Sequence, residues 1–291
     1  MTLRELNRTL LLRQMLLERR RVPLTRAVAK LVALQAQYAP SPYVALWARV
    51  AGFRKEQLTR GLVDGTVVKA ASFRTTLHVM SAAEFPQLAS SYIETQRARN
   101  VPAWRKEPWV RTAPVGPWPH TKPSADVLWP EPLPDPLESS IRVVHQYLAA
   151  YGPATREDVV QFTGFRLRQI DPALDGLRTS EDEAGRTLYD LARAPLVSGD
   201  RDAPVRFLPA FDSIILAHRD RSRILPPEYL DVVIDKRNAT TKNTFTVDGF
   251  IAGAWRIEKR RIAIEPFAPL PARRRREVDA EGERLLAWYL A

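Results

Sequence analysis

The sequence predicts an α+β fold of tandem winged helix-turn-helix units followed by a C-terminal antiparallel β-barrel-like domain. Three observations carry that expectation. Helical periodicity in the first hundred residues gives way to one Val- and Thr-rich hairpin, short capped helices recur after residue 137, and alternating strands appear after residue 240. A plain α+β domain fits the first observation equally well.

Taken in order, Leu3, Leu6, Leu10 and Leu17 repeat near the helical period, so residues 2–20 read as one amphipathic helix ended by Pro23. Thr25 is placed to cap a second helix running to about Leu34. Pro40 and Pro42 disfavour helix at the residues before them, so residues 35–41 read as a helix end turning into loop. A third helix spans Lys55–Val63. VVKAASFRTTLHVM, residues 67–80, reads as a hairpin interrupted at Ser72–Arg74, and Ser81 to Glu84 as a capping box opening a helix to Arg99. This first unit covers residues 1–100. Residues 101–136 hold ten of the 24 prolines and four tryptophans, a composition that suits a long wing or linker.

A further unit spans residues 137–206. It has a helix over 137–150, a Gly152-Pro153 turn, a capped helix from Thr155 to Phe162, and a helix over 166–177. Residues 207–291 form the β-rich end. TFTVDG, FIAGAWRI and RIAIEPF alternate as strands with an Asp248-Gly249 turn, and Pro271 opens a terminal helix. Four consecutive arginines, Arg273–Arg276, are either phosphate contacts or, since they face all round that helix, the more usual solvated surface.

The 291 residues are 45% hydrophobic, enough for a substantial core. Lys+Arg 44 against Asp+Glu 33 gives a net charge of +11, which favours a polyanionic partner. Most of the cations are arginine, whose planar fork suits phosphate, although such usage is also a common compositional habit. The absence of cysteine excludes disulfides, thiolate metal sites and thiol nucleophiles. His78, His120, His145 and His218 show no metal-pair spacing, so neither a metal nor another cofactor is expected. No apolar run suits a membrane span, and the Arg-rich start does not suit a signal peptide. The expectation is a cytoplasmic monomer.

The stretch LVALQAQYAPSPYVALWARV, residues 31–50, is the most informative. Gln35 and Gln37 flank one small apolar residue. On a helix they would diverge; in an extended segment, where side chains repeat every two residues, they point together. Read alone, such a pair is most often surface. Thr76 and His78 alternate with Leu77 in the same way and face one side of their strand. They are candidate site-lining residues, with a satisfied hairpin histidine as the plainer reading. Arg74, Arg166, Arg168, Arg219, Arg221 and Arg223 are candidate phosphate contacts; for each alone, solvated surface is the plainer reading. Asp212 is either a second carboxylate near the site or the N-cap of the helix at SIIL.

LQAQ followed by PYVALWARV resembles the AlkZ/YcaQ family of bacterial winged-helix DNA glycosylases. FRTTLHVM is similar to that family's Arg-x-Thr-x-His segment. GPATREDVVQFTG is similar to its second helix-turn-helix, and FLPAFDSIILAHRDR and TFTVDGFIAGAW to its C-terminal landmarks. The resemblance covers nearly the whole chain and points to the AlkZ-like branch, because Gln37 stands where the other branch carries Asp. Ser213 stands where the family usually has Glu.

The resemblance implies tandem winged helices, a C-terminal β-barrel and double-stranded DNA as partner. It also implies a monofunctional glycosylase for N7- or N3-alkylated purines, some members of the family unhooking interstrand crosslinks. Gln35 and Gln37 would be the catalytic pair. Two amides suit that chemistry. An alkylated purine leaves readily, so the attacking water needs orientation more than deprotonation, and a carboxamide supplies an acceptor and two donors. No lysine is marked as a Schiff-base nucleophile. A non-catalytic winged-helix regulator explains the charge and the helices as well, but gives the two glutamines no task.

Overall fold

The computed structural model describes residues 1–97, 99–111, 118 and 125–291. Helix α1, Leu3–Arg13, opens on a capping box in which Thr2 Oγ1 accepts from the Glu5 amide. The helix expected to reach residue 20 stops there. Met15 turns left-handed at φ 57°, and the chain crosses over so that Arg20 pairs with Val50. In α2, Leu24–Lys30, the cap position belongs to Pro23 rather than Thr25. This helix ends before Leu34, because Val32 at φ 65° redirects the chain into strand β1, Leu34–Gln35. The segment expected to be a helix end turning into loop thus starts as a strand at Leu34–Gln35 and bends over residues 37–40. Prolines at the first turn then start α3, Ser41–Arg49, and α4 follows as expected at Lys55–Val63.

Strands β2, Val67–Ala71, and β3, Leu77–Ser81, form the expected hairpin, and its interruption is a 3-10 turn at Phe73–Thr75. Helix α5 is Phe85–Arg97. The capping box expected at Ser81–Glu84 is replaced by tertiary contacts, Glu84 pairing with Arg142 at 3.2 Å and accepting from Gln146. Strands β4, Trp109–Arg111, and β5, Asp126–Leu128, complete an antiparallel sheet in the order β1-β3-β2-β4-β5. The expected wing or linker over 101–136 supplies these two strands; its residues 112–117 and 119–124, His120 included, lie outside the described residues.

The second unit has α6, Pro136–Tyr151, and α7, Arg156–Thr163, capped by Thr155 and stopped by Gly164 at φ 70°. Helix α8, Leu167–Leu174, is shorter than expected because the chain turns at Asp175 and Gly176. Strands β6, Arg178–Glu181, and β7, Thr187–Asp190, form a two-stranded ribbon.

The last third runs β8, Arg206–Leu208; α9, Ser213–Leu216; α10, Leu230–Val233; and a ribbon of β9, Ile234–Asp235, and β10, Thr240–Thr241. Then come β11, Thr244–Val247; β12, Phe250–Glu258; β13, Arg261–Pro266; and α11, Ala272–Leu290. The larger sheet is an antiparallel set in the order β13-β12-β11-β8, with Val278 and Leu285 of α11 buried in the core. Among the described residues no further strand closes it into a barrel.

Helix α1 ties the three regions together. Arg13 makes a two-pronged pair with Asp190 at 2.8 and 2.9 Å, both groups buried. Gln14 donates to the Ala150 carbonyl at 2.9 Å. Asn7 donates to the carbonyls of Arg223 and Gly249, and buried Arg8 pairs with Asp248 at 2.5 Å. A Cβ on Gly249 would sit 2.5 Å from both Arg8 Nη1 and Asn7 Oδ1, so only glycine lets this turn approach α1.

Candidate active site

β1 pairs with β3 so that Gln35 lies opposite His78, and β3 pairs with β2 so that His78 lies opposite Ala70. Directly opposed residues of a sheet share a face. The register therefore brings Gln35 and His78 together, two residues that sequence spacing alone leaves 43 positions apart. Just beyond the strand the Ala36 amide donates to the Leu77 carbonyl at 2.7 Å. Gln37 Oε1 accepts from the Leu77 amide at 3.3 Å, taking the place a ladder carbonyl would hold. Thr76 is extended, at φ −100° and ψ 157°, and its hydroxyl donates to the Phe73 carbonyl at 3.1 Å.

The two glutamines differ in surroundings. Gln37 is exposed. Gln35 is only 7% exposed, and its Oε1 is fully buried with no hydrogen-bond partner among the described residues. A buried amide oxygen without a partner loses about 1–3 kcal/mol of solvation, which a bound water or ligand group would restore.

His78 is buried, with Nδ1 donating to the Thr76 carbonyl at 3.0 Å and its ring edge-on to Phe73 at 5.7 Å. Burial, reinforced by the Arg74 charge, pushes its pKa down to about 3. It is a neutral imidazole at physiological pH.

The segment carrying Gln35 and Gln37 is clasped by residues 210–213. Ser41 Oγ donates to the Ala210 carbonyl at 2.7 Å, and Ser213 Oγ to the Ala33 carbonyl at 3.3 Å. Arg49 on α3 makes a two-pronged pair with Asp212 at 2.8 Å for both bonds, and both side chains are buried. Asp212 also accepts from the Ile214 amide, so it is the expected N-cap and a buried anchor as well. Ser213, the departure from the family pattern, holds the backbone at the foot of β1. The lone arginine in the otherwise apolar PYVALWARV was the available signal for such an anchor, since a buried charge needs a partner.

The candidate phosphate-binding arginines fall into two sets. Arg74 is turned inward at φ 51°, donating to the carbonyls of Gln161 and Phe162 at 3.1 and 2.7 Å. It thus caps the C-terminal end of α7 through one nitrogen instead of projecting into solvent. Arg223 is buried and donates to the Pro153 carbonyl, with Asp158 at 4.0 Å. Burial removes it from the phosphate-binding set. Arg168 is exposed and pairs with Glu94 at 2.8 Å. Arg166 is half-buried at the cap position of α8, Arg221 is half-buried with its Nε unpartnered, and Arg219 is exposed. Arg273 and Arg274 pair with Glu277, and Arg275 with Asp279, in the solvated arrangement expected.

Sequence reading passed over the β9–β10 ribbon, whose turn carries exposed Lys236, Arg237 and Asn238. The signal was present in IDKRNATTK, two short β-prone segments around a polar turn. Thr241 Oγ1 of this ribbon accepts from the Phe211 amide at 2.5 Å, joining it to the same 210–213 segment that clasps the glutamines. Among the described residues no cluster of three or more His, Asp or Glu is placed to hold a metal, and no helix is long and apolar enough to cross a membrane.

Comparison with known proteins places this architecture. Over 144 residues the chain is 26% identical to an interstrand DNA cross-link repair glycosylase of Streptomyces sahachiroi. That match covers 46% of this chain and 38% of the relative, so the chain spans about two fifths of the length of the curated relative it matches. The solved structure of Streptomyces sahachiroi DNA glycosylase AlkZ superposes with a TM-score of 0.81 at 19% identity, covering 99% of this chain and 97% of the other, which establishes a shared fold. The family model described as DNA glycosylase AlkZ-like matches residues 28–114 and 94–288, and with most of its length so matched the chain belongs to the AlkZ-like DNA glycosylase family.

Proposed function

We propose that this protein is a monofunctional DNA glycosylase that hydrolyses the N-glycosidic bond of N7- and N3-alkylated purines, with Gln35 and Gln37 holding the attacking water. The observation that carries the reading is the orphan Oε1 of Gln35, buried beside a neutral histidine. A water there would gain an acceptor without meeting a base. Gln37, tethered through its own Oε1 to Leu77, keeps its amide N–H groups free to steer the same water or the sugar. Such a site is weak by design. It suffices for a cationic, activated purine and fails on an undamaged one, whose departure needs protonation that a histidine titrating near 3 does not supply.

Interstrand crosslinks at purine N7 fall within the same substrate class, and the curated relative's name supports including them. The helices and hairpin of residues 1–100 act as one winged unit and those of 137–206 as another. Arg166, Arg219, Arg221 and the β9–β10 ribbon contact phosphate, a two-stranded ribbon being of a size to enter a groove. Thr76 and His78 line the site by positioning. The protein works as a cytoplasmic monomer on double-stranded DNA.

The test is base release from a duplex holding one 7-methylguanine, read by alkali cleavage. Gln37→Ala should lower release about 100-fold or more, the scale of losing one oriented transition-state contact. DNA affinity should stay within about threefold, because phosphate contacts dominate it. Wild-type turnover by Gln37→Ala would overturn the assignment of the water site.

A further inference from the structure

Just before Gln35 the chain takes a rare turn. The Ala33 amide donates to the Leu31 carbonyl at 2.8 Å, closing a ring around Val32, which stands at φ 65°. This is a γ-turn of the positive-φ form, the strained one, and a branched Cβ adds to the strain. Such strain persists only where surrounding contacts enforce it. Leu31, Val32 and Ala33 are all buried, so their carbonyls must be served from within the fold. Two hydroxyls from outside the first hundred residues do so. Tyr151, the last residue of α6, donates from its phenol to the Leu31 carbonyl at 3.1 Å. Ser213, the first residue of α9, donates from Oγ to the Ala33 carbonyl at 3.3 Å. Both donors are themselves fixed. The Tyr151 ring stacks on Tyr147 at 5.4 Å and packs against Phe162 at 4.9 Å. Burial pushes its pKa up, so the phenol keeps its proton. Ser213 follows Asp212, which Arg49 holds through two bonds.

We propose that Tyr151 and Ser213 are positioning residues for base excision, acting through the strained turn at Val32 to aim Gln35. The inference rests on the assignment of Gln35 and Gln37 as holders of the attacking water. Only Ala33 and Leu34 separate the turn from Gln35. The two hydroxyls grip carbonyls on either side of Val32, so relaxing its φ to an ordinary value swings at least one carbonyl off its donor. The direction of a side chain in the first region is thereby set by hydroxyls of the other two. Neither hydroxyl reaches the reacting atoms, so their removal costs orientation and leaves DNA binding in place.

The first arm needs no excision. Hydrogen exchange of the full chain, read by mass spectrometry, follows the amides of residues 31–36. Tyr151→Phe and Ser213→Ala should each speed exchange there by about fivefold or more, the scale of one lost hydrogen bond, and leave α4 unchanged. Ser213→Thr, which keeps the hydroxyl, should exchange like the wild type. Unchanged exchange in both hydroxyl-less variants overturns the clamp, and so does exchange raised equally throughout the chain, which marks a general loss of stability.

The second arm measures the single-turnover rate of 7-methylguanine release together with affinity for the same duplex. Tyr151→Phe and Ser213→Ala should each lower the rate about tenfold, with affinity within about twofold of the wild type. Replacing Val32 tests the strain. Glycine takes a positive φ without penalty, whereas alanine removes nearly the same packing and keeps the penalty. In the Val32→Gly background the loss caused by Tyr151→Phe should shrink to about twofold, and in the Val32→Ala background it should stay near tenfold. An equal loss in both backgrounds overturns the strained turn as the route. A wild-type rate in the hydroxyl-less variants, with exchange raised as expected, overturns the positioning role and leaves the clamp a structural one. Failure of the wild type to release the base overturns the excision reading itself, while the first arm still decides the clamp.

Discussion

Two groups of cations in this chain do opposite work. The arginines at the seams between units, Arg13, Arg49, Arg74 and Arg223, are turned inward onto carboxylates and carbonyls, Arg74 half-buried and the others buried. The cations of the β9–β10 ribbon, Lys236 and Arg237, stand exposed. A net charge of +11 treats the two alike, yet the first set serves the interior, and the second lies on the surface where a polyanion can reach it, Lys236 beside Asp231 at 3.1 Å. The cationic surplus of a sequence is thus an upper bound on its DNA-binding surface.

The contrast can be broken from the buried side. Arg49→Ala leaves Asp212 uncompensated in the core and should cost about 3–5 kcal/mol of stability, measured by urea unfolding. It should also loosen the clasp on residues 33–41, so base release falls with it. Removing the charge in a similar volume, with Arg49→Met and Asp212→Leu together, should recover much of the stability.

Acid sharpens it next. Burial lowers His78 to about 3 and His218 to about 4, whereas both bind protons near 6.5 when unfolded. The unfolded state then holds more protons between those limits, so stability is full above pH 6.5 and falls as pH drops through that window. Each histidine contributes a slope of about 1.4 kcal/mol per pH unit while it titrates. His78→Gln should remove one share of the slope; an unchanged slope would show that His78 is protonated in the fold.

The exposed side should give the smallest effects on stability and a clean effect on binding. Lys236→Ala and Arg237→Ala should each lower the salt dependence of DNA affinity by about one unit of slope. Unfolding should shift by less than about 0.5 kcal/mol. Loss of stability of the Arg49→Ala kind would mean that the ribbon is structural.

Much of the fold was legible in the chain. The hairpin at 67–81, the helix at 55–63, the Thr155 cap with its Gly164 stop and the Asp248-Gly249 turn all depend on local chemistry, and all are where that chemistry put them. What failed was decided at long range. Residues 34–35 became a strand because β3 offers its edge, which nothing within residues 20–40 could announce. Glu84 left its cap for Arg142, 58 residues away. The pairing of Gln35 with His78 is likewise a matter of register, and the fate of Arg74 and Arg223 a matter of burial. The residue types of the site could be read from sequence; their environments could not.

The turn at Gly249 has a consequence for how the chain is made. Helix α1 leaves the ribosome well before its partners do, because Arg8 and Asn7 find them at Asp248 and Gly249, some 240 positions later. Until that hairpin emerges, the face of α1 that carries a buried arginine has nothing to close on. At a synthesis rate of about 5–20 residues per second, this leaves the helix incomplete for about ten seconds or more. The nascent chain therefore cannot close the region around α1 before the 248–249 turn is made, and a stalled or shortened product ending before residue 248 should be a target for chaperones and proteases rather than a partly working protein.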